Sequence, residues 1–202
     1  MLKQNNLVVN DKTPTVITDS SSLYAARSLK ELFIIFFIFS LAGHYLEVVW
    51  AWVKFFAAGS SWYPKINDLI PMAAPYGLGA VSLIVIIWPI MRKRKINPVG
   101  VFVLSGIIAG FVETFCALVV ILLYGRNYFW DYSGRFLNFF GLTCLSACLM
   151  FAAASILFLY YIYPRFEKIF KHFTKHQISS CFWALFIAYF VNMSLVITRE
   201  FL

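Results

Sequence analysis

Charge is what this chain lacks most. Of its 202 residues only 13% are Asp, Glu, Lys or Arg, and just nine are acidic. Soluble domains carry about 25% charged residues, so an ordinary cytosolic enzyme is excluded. Cysteine is scarce too, at four. Cys116, Cys144, Cys148 and Cys181 all sit inside apolar runs, which excludes a disulfide scaffold. Cys144 and Cys148 share a helix face at i, i+4, a spacing that a metal pair could use and that buried apolar filler explains more simply. Several chemical signatures are missing as well: HExxH, GxSxG, paired intramembrane aspartates and any Gly-Lys of a phosphate-binding loop.

Apolar residues fill the space, at 61% with 22 Phe and a mean hydropathy of +0.78. A helix needs about 20 such residues to cross the hydrocarbon of a bilayer. Five runs qualify: Leu32–Phe56, Ile70–Met91, Pro98–Tyr124, Gly141–Tyr163 and Gln177–Thr198. They are continuous rather than alternating, which excludes a membrane barrel. The expectation is an all-α integral membrane protein with five transmembrane helices. Residues 1–31 read as a flexible polar tail, 32–163 as a four-helix core, 164–176 as a basic interfacial segment and 177–202 as the fifth helix.

Basic residues set the orientation. Lys3, Lys12, Arg27, Lys30, the Arg92–Lys95 run, Arg165, Lys168, Lys171 and Lys175 lie on one side, twelve in all. Lys54, Lys65, Arg126, Arg135 and Arg199 are the five on the other. This places the N-terminus in the cytoplasm and the C-terminus outside. It also explains the net +8 without a nucleic-acid partner, since no basic domain exists to bind one. Phe166, Ile169, Phe170 and Phe173, interleaved with basic residues, form an amphipathic face suited to an anionic lipid surface. His172 and His176 at i, i+4 fit lipid-surface positions better than a metal site. Trp62 and Tyr63, and Tyr128, Phe129, Trp130 and Tyr132, mark aromatic interfacial loops on the outer side.

Ionisable residues inside the spans carry the functional signal, because each is costly there. They are His44, Glu47 and Glu113. Glu47 and Glu113 are each the sixteenth residue of their spans, roughly 22 Å from the inner end at 1.5 Å per residue, hence at one depth. Ser40, Gly43, His44, Glu47 and Ala51 share a small and polar stripe, as do Gly106, Gly110 and Glu113. Small residues at i, i+4 let helices approach closely, so both acids should face the bundle.

Each half thus holds an outward helix with Gly then Glu, an aromatic loop, and a returning helix opened by Gly77 or Gly141. Either this is a parallel repeat of two helical hairpins with a polar site between them, or two apolar hairpins are alike by chance. Pro75, Gly77 and Gly79 admit two readings: a broken, cavity-lining helix start, or an ordinary kinked end.

The chain also resembles the CmpB-like family of small bacterial ABC-transporter permeases. The residues that carry the likeness are Ser40-Leu41-Ala42-Gly43 with Glu47, Pro75-Tyr76-Gly77-Leu78-Gly79, Gly110 with Glu113, and Trp130-Asp131-Tyr132-Ser133 followed by Asn138 and Gly141. The likeness spans roughly Phe33 to Tyr163. Met72-Ala73-Ala74 departs from the family's Gly-Pro approach to the second helix, and His44 stands where Trp is usual.

The resemblance implies a permease-like subunit of a bacterial plasma membrane, without cofactor, served by a separate ATP-binding subunit or another membrane protein. The candidate binding residues are His44, Glu47, Tyr76, Gly77, Gly79, Glu113, Trp130, Asp131, Tyr132 and Asn138. Asp131 has a second reading, as a helix cap or the ion partner of Arg126 or Arg135. Two further classes fit the same residues: a scaffold that assembles membrane proteins or lipids, its acids hydrogen-bonded to Trp130, Tyr132 or helix-start amides, and an intramembrane enzyme using His44 with Glu47 as a base pair.

Overall fold

The computed structural model describes residues 28–58, 73–94, 96–127 and 129–201. The N-terminal tail with Lys3, Lys12 and Arg27, the Trp62–Tyr63 pair with Lys65, the start of the second expected span at 70–72, Lys95 and Tyr128 fall outside them.

The described residues are all-helical apart from one tiny hairpin and short connections. Helix α1 spans Leu29–Ala58. Helix α2, Ala74–Ser82, continues through a π-helical turn at Leu83–Ile87 into α3, Trp88–Arg94. Helix α4 is Pro98–Tyr124. Strands β1, Asn138–Phe139, and β2, Thr143–Cys144, pair antiparallel. Helix α5, Leu145–Leu157, passes through a second π-helical turn at Phe158–Ile162 into α6, Tyr163–Phe170, and α7 covers Lys175–Phe201. Five of these continuous helical rods are long and apolar enough to cross a membrane.

Local chemistry fixes the ends. Ser28 and Glu31 form a reciprocal cap at the start of α1, each backbone amide donating to the other's side chain at 3.3 Å. Thr174 and Gln177 repeat the device before α7. Asn97 accepts from the Gly100 amide at 2.7 Å, with Pro98 in the first turn of α4 where no amide is required. Gly125, at φ 77°, closes that helix by donating to the Ile121 carbonyl.

The second rod departs from expectation. Ala74 to Ser82 is a regular helix, with Pro75 in its first turn, and neither Gly77 nor Gly79 breaks it. The irregularity lies deeper, at the two π-helical turns. Their buried Leu83, Ile84, Ile87, Phe158 and Leu159 join Ile35, Val101 and Tyr163 in the apolar core. Edge-on ring pairs complete that core: Phe39 on Phe158 and Trp88 on Tyr163, both at 4.9 Å.

The fourth rod also starts later than Gly141. Residues 138–144 are spent on the hairpin, and Gly141 sits in its turn at φ 71°. Gly141 therefore does not open a helix as Gly77 sits within one, and the likeness of the two halves fails at that position.

Residues 164–176 divide. The first half extends the fourth rod, and its Phe166 and Phe170 are committed to the core rather than to lipid. Ile169 and Phe173 remain exposed. Helix α7 packs on α1 through Phe33, whose ring meets Phe182, Phe186 and Tyr189, and through Lys30 Nζ donating to Ser179 Oγ at 2.7 Å.

The end of the bundle with Lys30, Arg92–Arg94, Arg165, Lys168, Lys171 and Lys175 is the basic end, and the opposite one is the loop end. The apolar core lies towards the basic end, and the buried Glu113 and Thr143 lie towards the loop end.

Candidate functional site: a carboxylate beneath the hairpin loop

Two close helix crossings build the frame. A Cβ on Gly77 would collide with Ser40 Oγ and with the Phe36 carbonyl oxygen, and one on Gly43 would collide with the Tyr76 ring. The Ala73 amide donates to the Ser40 carbonyl at 2.9 Å. These contacts fix the start of α2 at the level of Ser40 and lay Tyr76 over Gly43. In the other pair, Gly110 faces Cys148 Sγ, and Gly106 faces Ala152 and the Cys148 carbonyl. Both small-residue stripes therefore serve as seams.

Glu113 lies beside the second seam and is buried, with 6% of its surface exposed. Tyr132 Oη donates to its Oε1 at 2.9 Å, and Thr143 Oγ1 donates to Oε2. Both donors come from the segment joining α4 to α5, one from each side of its turn. Thr143 also lies 3.5 Å from Cys148 Sγ, and Cys144 Sγ lies 3.2 Å from Ser146 Oγ. Burial and the adjoining Glu113 carboxylate raise the pKa of the Tyr132 phenol, which keeps it a donor.

Glu47 behaves differently. The sequence stripe predicts a second buried acid, yet Glu47 is exposed. Its stripe neighbours Gly43 and Ala51 are buried while Glu47 is not, so the carboxylate stands at the edge of the packed face rather than within it. Its described tie is a hydrogen bond from Tyr76, and Tyr76 in turn lies within electrostatic range of Glu113. Tyr76 thus stands between the two carboxylates, one buried and one at the protein surface. His44 is half-buried, its ring 5.8 Å from that of Tyr45.

The remaining candidates separate into loop architecture and bystanders. Asp131 is exposed and caps its own turn, accepting from the Ser133 amide at 2.8 Å and hydroxyl at 3.0 Å. Those two bonds lower its pKa. Asn138 is exposed, donates to the Ser133 and Arg135 carbonyls, and accepts from the Gly141 amide. Trp130 Nε1 donates to the Leu142 carbonyl at 2.8 Å. Asp131 and Asn138 therefore hold the loop's shape instead of facing Glu113. Gly79 meets nothing within 4 Å where a Cβ would stand, so it marks no close approach. Among the described residues no three His, Cys, Asp or Glu side chains converge as a metal site.

Sequence reasoning missed Thr143. A lone hydroxyl at the head of an apolar run, two residues past Gly141, was the available signal. It also missed Ser105, which is fully buried on α4.

Five apolar rods, small-residue seams and a buried carboxylate closed over by a loop define a multi-pass integral membrane protein. The chain belongs to the family described as "Putative ABC-transporter type IV", whose model matches residues 34–197. That match extends past Tyr163 and takes in most of α7, so the fifth helix belongs to the family unit. No curated protein and no solved structure matches the chain.

Proposed function

We propose that this protein is the membrane-embedded, permease-like subunit of an ABC-type system, and that Glu113 marks its substrate path. The observation that supports this most is the buried Glu113 carboxylate, held by Tyr132 and Thr143 at the junction of loop and helix. A carboxylate is expensive within a membrane protein unless it is used or fully bonded. Glu47, bonded to Tyr76 at the protein surface, is the second carboxylate along that path. In this reading the N-terminus is cytoplasmic, the C-terminus is outside, and the two hairpins α1–α3 and α4–α6 are related as a parallel repeat.

The chain itself is not the catalyst; nucleotide hydrolysis belongs to a separate ATP-binding subunit, for which the basic end is the docking side. Affinity purification of the native protein in mild detergent, with mass spectrometry, tests this. Stoichiometric recovery of an ATP-binding subunit is the expected result. Its absence under conditions that preserve other membrane complexes contradicts the proposal.

One observation favours a scaffold as the second reading. Both Glu113 oxygens are engaged by the chain's own loop, as in a purely structural buried network. A scaffold would be recovered with another membrane protein and without an ATPase.

A further inference from the structure

The tip of the α4–α5 loop presents an unusual combination. Phe136, Leu137, Phe139 and Phe140 are all exposed, Phe136 and Phe140 by about four-fifths of their surface. Leu137 and Phe140 hold left-handed backbone conformations, at φ 48° and 51°. That region suits glycine or asparagine and is strained for bulky side chains. A turn whose only task was to reverse the chain would use a small or polar residue at such positions. Retained strain at an exposed apolar tip points to a use for the side chains themselves.

The backbone beneath the tip is prepared for a setting poor in water. The Ser133 and Arg135 carbonyls both accept from Asn138, and the Leu137, Phe139, Gly141 and Leu142 carbonyls accept from Leu145, Leu142, Tyr132 and Trp130. Irregular backbone near a bilayer is tolerated only when its polar groups are satisfied internally. The tip also continues the apolar surface of the rods on either side, where Leu122 and Leu123 end α4 and Leu145 and Leu149 begin α5, all exposed. Arg126 and Arg135 are exposed on the same loop and match the negative charge of lipid phosphates.

We propose that the Phe136–Phe140 tip inserts into the lipid of the adjacent leaflet, at the boundary of headgroups and acyl chains, as a shallow non-helical anchor. The Asp131, Asn138 and Trp130 bonds give the anchor a fixed shape. Through Tyr132 and Thr143 the same loop holds Glu113, so the depth of the tip is coupled to the carboxylate. The proposal does not depend on the transport reading.

The test places a polarity-sensitive fluorophore at Phe136→Cys and, separately, at Phe140→Cys, in full-length protein carrying Cys181→Ser and reconstituted into phosphatidylcholine–phosphatidylglycerol vesicles. Gly134→Cys, in the polar turn between Asp131 and Arg135, serves as the reference. Emission at 136 and 140 should shift to the blue relative to 134. It should be lost to a lipid carrying a nitroxide near its headgroup, while iodide in the water quenches 134 preferentially. Equal iodide quenching at all three sites overturns the proposal. Protection of 136 and 140 from both quenchers also overturns it, by showing a protein surface, this chain's 59–72 segment included, over the tip.

Discussion

The Tyr132 hydroxyl donates to Glu113 Oε1 at 2.9 Å, and that bond joins an exposed loop to the middle of a membrane-spanning helix. Thr143 holds the other carboxylate oxygen from the far side of the same turn. The loop and the buried acid therefore form one unit. A change in either should be felt by the other.

The first prediction concerns that unit. Thr143→Val and Tyr132→Phe each leave a buried acceptor short of a donor, a loss on the order of 1–3 kcal/mol. Thr143→Ser keeps the hydroxyl and should cost less than Thr143→Val. Thermal unfolding of the purified variants in detergent checks the order; a larger loss for Ser than for Val would show that the methyl group, and not the hydrogen bond, matters.

The glycines should divide sharply by position. Gly77→Ala drives a methyl into Ser40 and into the Phe36 backbone carbonyl, which cannot swing aside. Overpacking of this kind costs about 1–3 kcal/mol, so the yield of monodisperse protein should fall. Gly79→Ala meets open space within a regular helix. It should stabilise by up to about 1 kcal/mol through helix propensity. Side-by-side thermal unfolding reads both, and similar behaviour of the two variants would refute the crossing geometry.

Gly141→Ala should damage the loop for two reasons. Its φ of 71° is strained for alanine, and the added methyl would stand 3.1 Å from Asp131 Oδ1. The left-handed conformation alone costs about 1–2 kcal/mol. Trp130, bonded across the same turn to Leu142, offers the readout: its fluorescence environment should change in Gly141→Ala and hold in Gly134→Ala, where the space is open.

Asp131 predicts a pH dependence. Bonds from the Ser133 amide and hydroxyl depress its folded pKa below the ordinary 3.8. A depressed carboxylate stabilises the loop fully above the unfolded value, and the contribution fades as pH falls from there through the folded value. Loop order, followed by amide hydrogen exchange at Ser133, should hold at neutral pH and weaken only in that acidic window. Asp131→Asn should remove the acid-dependent step; an unchanged step in that variant would assign it to another group.

Much of the fold was legible because membranes reward length. Five runs of the right size gave five rods; Pro98–Tyr124 kept both ends, α1 and α7 start earlier at local caps, and the fourth rod starts later because of the hairpin. The Gly43, Gly106 and Gly110 seams were legible because small residues at helical spacing have few other uses, whereas Gly77, read as a helix break or kink, marks a close crossing instead. The hairpin at 138–144 was not, because two-residue strands leave no periodicity to read. The exposure of Glu47 was hidden too: Gly43 and Ala51 on its stripe are buried, and which edge of a stripe the partner helix covers is set by contacts between helices. Tyr132 was legible as a loop residue and as one of the donors to the acids in the scaffold reading, whereas its choice of Glu113 depends on the fold of the whole turn.

Glu113→Gln in a complex with the proposed ATP-binding partner tests the central claim most directly. ATP turnover in vesicles and thermal unfolding would be measured on the same preparation. Glutamine keeps one acceptor oxygen, and its NH2 can donate to the second hydroxyl once that hydroxyl turns to accept, while the charge is removed; unfolding should therefore shift little and turnover should collapse. Unchanged turnover, or a loss no greater than the loss of folded protein, would contradict a functional carboxylate and leave Glu113 as a structural tie between helix and loop.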